Sequence, residues 1–122
     1  MENTIGLALI SGISIGLKGN LKQIKEALGF ETADFFYFTL EGKRFVAICD
    51  DEGLLKENHY SIYVIDKKHY NVKRVVAGNV FICKMNEYGD DYISLSDDDF
   101  NLLQENIGYA DEFSQKALII LD

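Results

Sequence analysis

Apolar and polar residues alternate along most of the chain, and a helical spacing interrupts the alternation twice. Residues 4–10 and 13–17 are two short apolar runs separated by Ser11-Gly12, which predicts strand, turn, strand. In NLKQIKEALG, Leu21, Ile24 and Leu28 recur at i, i+3 and i+7. Asn20 stands before them as an N-cap and Gly29 after them as a left-handed stop. This predicts a short amphipathic helix that needs a sheet to cover. DFFYFTLEGKRFVAICDDEG predicts a hairpin with its turn at Glu41-Gly42 and a returning strand over Phe45 to Cys49. Its first strand is aromatic on both faces. One face is expected on the core and the other under a helix, in a partner interface or at a ligand pocket, with plain burial favoured.

Asp50-Asp51-Glu52-Gly53 predicts a turn; it lacks the alternating oxygen ligands of a calcium loop. YSIYVID, NVKRVVAG, NVFICKM and DYISL then predict four strands, separated by KKHY, Gly78-Asn79 and NEYGD. The run SLSDDDFNLLQENIG raises a choice between a metal site, a patch that imitates nucleic-acid phosphates and a helix start. Ser96 and Asp99 have capping-box spacing, and Asp97 and Asp98 fall in a first turn, where the helix dipole favours each by ~0.3–1 kcal/mol. Consecutive helical side chains diverge, so the helix start is the stronger reading. Its apolar stripe is Phe100, Leu103 and Ile107, with Gly108 as the stop. The tail ADEFSQKALIILD predicts a further short helix or an added strand.

At 122 residues, with 48% apolar content and fifteen aromatics, the chain is expected to be one compact domain, residues 1–122. The net charge of −8 disfavours direct nucleic-acid and anionic-membrane binding and suits a basic partner. The twelve basic residues are interspersed, unlike the long base-free stretches expected of a phosphate mimic. Cys49 and Cys83 sit in apolar runs without metal-ligand spacing, as expected of free thiols in a reducing, cytoplasmic compartment. The apolar start MENTIGLALISGISIGL lacks a basic leader and is broken by glycines, so neither a signal peptide nor a membrane span is expected.

For catalysis the chain offers little. His59 and His69 lie in polar, loop-like NHY and KHY, and no P-loop, GxGxxG or GxSxG occurs. No catalytic residue, metal or cofactor is therefore expected. Binding has more to draw on. Aromatic rings can stack on a base, and Asn58 and Asn79 can meet base edges. Arg44, Arg74 and Lys84 lie on or beside strands, from which a cation can reach a pocket mouth.

NLKQIKEALG before the hairpin, ICDDEGLLKEN ending in Asn58, AGNVFI after a glycine, and DDYISLSDDDF leading into the last helix together resemble a small family of unknown function. That family is common in phages, plasmids and conjugative elements. The resemblance covers about residues 20–107. It departs from the pattern where ALGFE replaces a double-glycine turn and where the tail continues past the helix. Length and β-rich organisation are also similar to the phage anti-Thoeris sponges, non-catalytic oligomers that sequester cyclic ADP-ribose-type immune signals. That similarity implies Phe81 facing an adenine and Asp91 facing a ribose.

The expected fold is α+β, a twisted antiparallel sheet with about two short helices packed on it. The expected function is sequestration of a small nucleotide ligand by a homo-oligomer, at least a dimer formed through strand 35–40. An acidic inhibitor of a nucleic-acid-binding defence nuclease and a nucleotide hydrolase are the alternatives.

Overall fold

The computed structural model describes residues 1–11, 13–52, 61–66, 68, 71–111 and 116–121; for 61, 72–74, 109–111 and 116–121 it describes the backbone only. The first hairpin pairs β1 (Thr4–Ile10) with β2 (Ile13–Gly19). It leads into helix α1 (Leu21–Leu28), which is held at both ends as its sequence requires. Asn20 and Gln23 form a reciprocal capping box, and Gly29 closes the helix at φ 80°. Next come β3 (Ala33–Leu40) and β4 (Lys43–Asp50), in register from Ala33↔Asp50 to Leu40↔Lys43. Their two-residue turn places both Glu41 (φ 47°) and Gly42 (φ 77°) in the left-handed region, the hand that matches the twist of a hairpin.

β5 (Ser61–Asp66), β6 (Asn71–Ala77), β7 (Val80–Met85) and β8 (Tyr92–Ile93) follow, then helix α2 (Asp97–Glu105), β9 (Ile107–Asp111) and β10 (Lys116–Leu121). These are the elements of an α+β fold. The strands divide between two sheets. Sheet A has the order β2-β1-β7-β4-β3, with β8 added to β7, and sheet B has the order β6-β5-β10-β9. Every pair in sheet A is antiparallel, whereas in sheet B the inner pair β5–β10 is parallel. The tail thus takes the strand alternative left open by its sequence.

Sheet A is covered on both faces. On one, Ile24, Leu28 and Phe30 pack with Ala8, Val46, Ile48, Phe81 and Cys83. On the other, Leu7, Leu9, Phe45, Ala47 and Ile82 meet Ile62 and Val64 of sheet B and Leu102 and Leu103 of α2. Double coverage explains why VFIC on β7 is apolar at every position instead of alternating. The aromatic β3 accords with this: Phe38 is buried between the sheets, Phe36 is half-buried beside it, and Phe35 packs toward α1.

Helix α2 begins as predicted, with the Ser96–Asp99 capping box and three aspartates in its first turn. It stops earlier than predicted. Asn106 is the C-cap and donates its side-chain amide to the Leu102 carbonyl at 2.8 Å, so Ile107 and Gly108 start β9 instead. Leu102, rather than Ile107, completes the buried stripe. No helix among the described residues is long and apolar enough to cross a membrane.

Candidate functional site

One end of sheet A carries the β3–β4 turn and the β7–β8 connection side by side. Pairing of Phe45 with Lys84, and of Lys84 with Ile93, places Lys84 between β4 and β8. Lys43 precedes Phe45 by two residues and so shares its face, while Arg44 points to the other face. Between the two turns lies an open cleft of about 670 Å³, lined among others by Lys43, Arg44, Lys84, Glu87, Tyr88 and Ile93. Tyr88 is 79% exposed and presents its ring to solvent.

The floor of this end is held by Asp99, which is completely buried. Lys43 Nζ donates to its Oδ1 at 2.9 Å, Lys84 Nζ to its Oδ2 at 2.8 Å, and the Ser96 amide to Oδ2 at 2.9 Å. Burial alone would raise the Asp99 pKa. The Lys84 ammonium, the Ser96 amide and the Lys43 ammonium outweigh it and hold the carboxyl well below its usual range. Asp99 in turn raises the Lys43 pKa by its hydrogen bond. One carboxylate accepts from both lysines and so balances the charge of only one of them. The Arg44 guanidinium makes no hydrogen bond or ion pair among the described residues. It rests against Gly89 (φ 72°), whose missing Cβ would stand 3.0 Å from Nη1.

A smaller recess of about 290 Å³ adjoins the cleft, sharing Met85 and lined also by Tyr37, Gly89, Asp90, Asp91 and Tyr92. Tyr37 on β3 and Tyr92 on β8 reach over the intervening β4 and β7 until their hydroxyls meet at 2.8 Å. Burial, then the Tyr37 hydrogen bond, push the Tyr92 hydroxyl up to about 12, so it stays protonated. The Phe35 ring stacks on Tyr92 with centroids 5.9 Å apart. Asp91 Oδ1 accepts the Tyr92 amide at 2.8 Å and lies 3.8 Å from the Met1 nitrogen.

Two of the residues expected at a site, Arg44 and Lys84, are thus brought together in the cleft, and Asp91 lies in the neighbouring recess. Phe81 is not available to a ligand. Its ring is fully buried on the α1 side and fills the space that Gly6 leaves open. Asn79 serves the fold: it donates to the Leu28 carbonyl and accepts from the Ser11 amide, both at 3.0 Å, tying α1 to the β1–β2 turn. Asn58, His59 and His69 lie outside the described residues. Arg74 falls on β6, and its side chain is likewise outside them. The sequence reading missed Lys43, Tyr88 and the tyrosine pair, and gave Asp99 only a capping role. The signal was present in NVFICKM, where Lys84 occupies a core-facing position of an otherwise apolar strand and so requires a partner.

Among the described residues nothing points positively to catalysis. No group of three His, Cys, Asp or Glu there is placed to hold a metal. Both cysteines are buried, and burial pushes the Cys83 thiol up to about 12, far from a thiolate nucleophile at neutral pH.

A family model described as a domain of unknown function, DUF3846, matches residues 10–108. The chain belongs to the DUF3846 family. The match runs from the end of β1 through α2 and includes every cleft residue named above; it stops within β9 at Gly108, and β10 lies entirely beyond it. It bears out membership of a family of unknown function. No significant match was found among curated proteins or solved structures.

Proposed function

We propose that this protein binds a phosphate-bearing nucleotide in the cleft and withholds it unchanged, acting against a cyclic ADP-ribose-type immune signal of a bacterial host. The observation that supports it most is Arg44, a strand-borne guanidinium without an internal partner among the described residues, which lines the same cleft as two lysines that share one carboxylate on the other face of the sheet. A guanidinium in this setting suits a phosphate oxygen pair. In a chain of net charge −8, this local grouping of cations favours an anionic small molecule over a long polyanion. Sequestration, as opposed to turnover, and the anti-defence role rest on the similarity in length and β-rich organisation to the anti-Thoeris sponges.

Thermal melts of the full chain with cyclic ADP-ribose isomers test this reading. A ligand at a hundredfold excess over its Kd stabilises by about 2.7 kcal/mol, which raises Tm by roughly 10 °C. Arg44→Ala should abolish the rise, and chromatography after heat denaturation should return the ligand intact. Absence of any rise at hundreds of micromolar would reject the proposal, and an altered nucleotide would make the protein a hydrolase instead. Salt-sensitive capture of a basic nuclease without any uptake of nucleotide would favour the inhibitor reading, for which Asp97 and Asp98 provide exposed charge.

The proposal includes a homo-oligomer. β3 ends sheet A, so one row of its backbone groups lacks a strand partner within the sheet, and Tyr37 beside that edge is half-exposed. Light scattering should give at least twice the 13.8 kDa chain mass. A single chain mass at tens of micromolar would remove this part of the proposal.

A further inference from the structure

We infer that the cleft and the adjoining recess form one two-part site for a nucleoside phosphate, with the phosphate on the cleft side and the sugar and base in the recess. This rests on the anion reading of the cleft and extends it to the rest of the ligand. The two hollows are separated by little more than a glycine. Met85 lines both, and Gly89 of the recess touches Arg44 of the cleft so closely that a Cβ would stand 3.0 Å from the guanidinium. A ligand with its anionic end against Arg44 therefore has its other end at the recess.

The chemistry changes across that wall. The cleft side offers three cations, Lys43, Arg44 and Lys84, against one carboxylate, Glu87; the recess offers two tyrosines and two carboxylates. Asp90 is occupied by Asn86, which donates its side-chain amide to Asp90 Oδ1 at 2.6 Å and accepts the Asp90 amide at 3.1 Å. Asp91 is different: only its Oδ1 is used, and its Oδ2 makes no hydrogen bond among the described residues. A bare carboxylate pocket would draw a cation. Here Arg44 in the wall and the Met1 nitrogen at 3.8 Å offset the charge, so neutral O–H donors are the better match. Vicinal ribose hydroxyls are such donors, and the half-exposed Tyr37, joined to Tyr92 by their hydroxyls, offers a flat ring surface beside them. Anion, then diol, then planar ring is the order of groups in a nucleoside phosphate.

Calorimetric titration of the full chain with adenosine diphosphate and, separately, with inorganic pyrophosphate tests this. The diphosphate should bind at least about tenfold tighter than pyrophosphate. Asp91→Asn, an exposed change, should remove most of that gap while leaving pyrophosphate within about twofold, whereas Arg44→Ala should weaken both. Ile13→Ser, at an exposed position of β2 that lines neither hollow, should leave the gap intact. Equal binding of the two probes by the unaltered chain overturns the two-part site but leaves phosphate binding in the cleft standing. Loss of the gap in Tyr88→Ala with none in Asp91→Asn moves the base into the cleft and also overturns it. If neither probe binds at millimolar concentration, both the two-part site and the anion reading fail.

Discussion

Asp99→Asn should lower the stability of this protein by about 2–3 kcal/mol at neutral pH, a large part of the 5–15 kcal/mol of an ordinary domain. Removing one member of a fully buried ion pair costs about 3–5 kcal/mol. The side chains of Lys43 and Lys84 remain 42% and 25% exposed, so both ammoniums regain some hydration and the loss is smaller. Asparagine keeps an oxygen for the Ser96 amide, which leaves most of the capping box in place. The difference is therefore assigned to charge. Its pH dependence follows from the depressed Asp99 pKa. The carboxylate's contribution is complete above the ordinary carboxyl value of about 4 and disappears as pH falls through the lower folded value. The raised Lys43 pKa acts at the other end: its contribution is complete below about pH 10.4 and is lost as pH rises through the folded value. Urea unfolding at pH 7 and at pH 2 should show the gap between the two proteins narrowing in acid. A gap of equal size at both, or none at pH 7, would mean that the clasp contributes nothing electrostatic.

Gly6→Ala should be at least as damaging, by about 3 kcal/mol or more, and melts of two control variants separate its cause from a general intolerance of sheet A to alanine. A Cβ at Gly6 would stand 2.4 Å from Phe81 Cζ, 2.6 Å from Phe81 Cε2 and 2.5 Å from the Ile82 carbonyl oxygen. The ring is sealed under α1 and the carbonyl belongs to the paired strand β7, so neither can give way without moving an element. Gly16 on β2 is the first control: its Cβ would meet only Phe100 Cζ, at 4.0 Å, and Gly16→Ala should change stability by no more than about 0.5 kcal/mol. The second is Gly6→Ala with Phe81→Leu, which should recover only part of the loss because the carbonyl remains. Equal melting temperatures for Gly6→Ala and Gly16→Ala would show that β1 and β7 can separate freely at this point.

Local chemistry made the units of the fold readable. Asn20 and Ser96 announced both helices, and Glu41-Gly42 announced the hairpin, because caps and two-residue turns depend on the residues that form them. Partition into two sheets was not readable. Gly78-Asn79 joins β6 to β7 with the composition of a hairpin turn, yet the two strands enter different sheets, a result set by which apolar faces find cover. The sponge resemblance implies Phe81 facing a ligand, and the strand itself offers no correction: VFIC is apolar at every position, and alternation cannot tell a face beneath a helix from one beside a pocket. Arg44 and Lys84 could be singled out as cations on strands. Their relation to Lys43 and Asp99 could not, since that cluster joins three elements separated by up to 56 residues.

The position of β10 has a consequence for biosynthesis. Its backbone partners are β9 on one side and, in parallel, β5 on the other, so Lys116 sits opposite Ser61, encoded 55 codons earlier. Until residues 116–121 have left the ribosome, β5 has an open flank, and Ile62 and Val64 belong to a layer that cannot yet close. A nascent chain of this protein must hold that flank away from its neighbours for the several seconds that translation of the remaining segment takes, at about 5–20 residues per second.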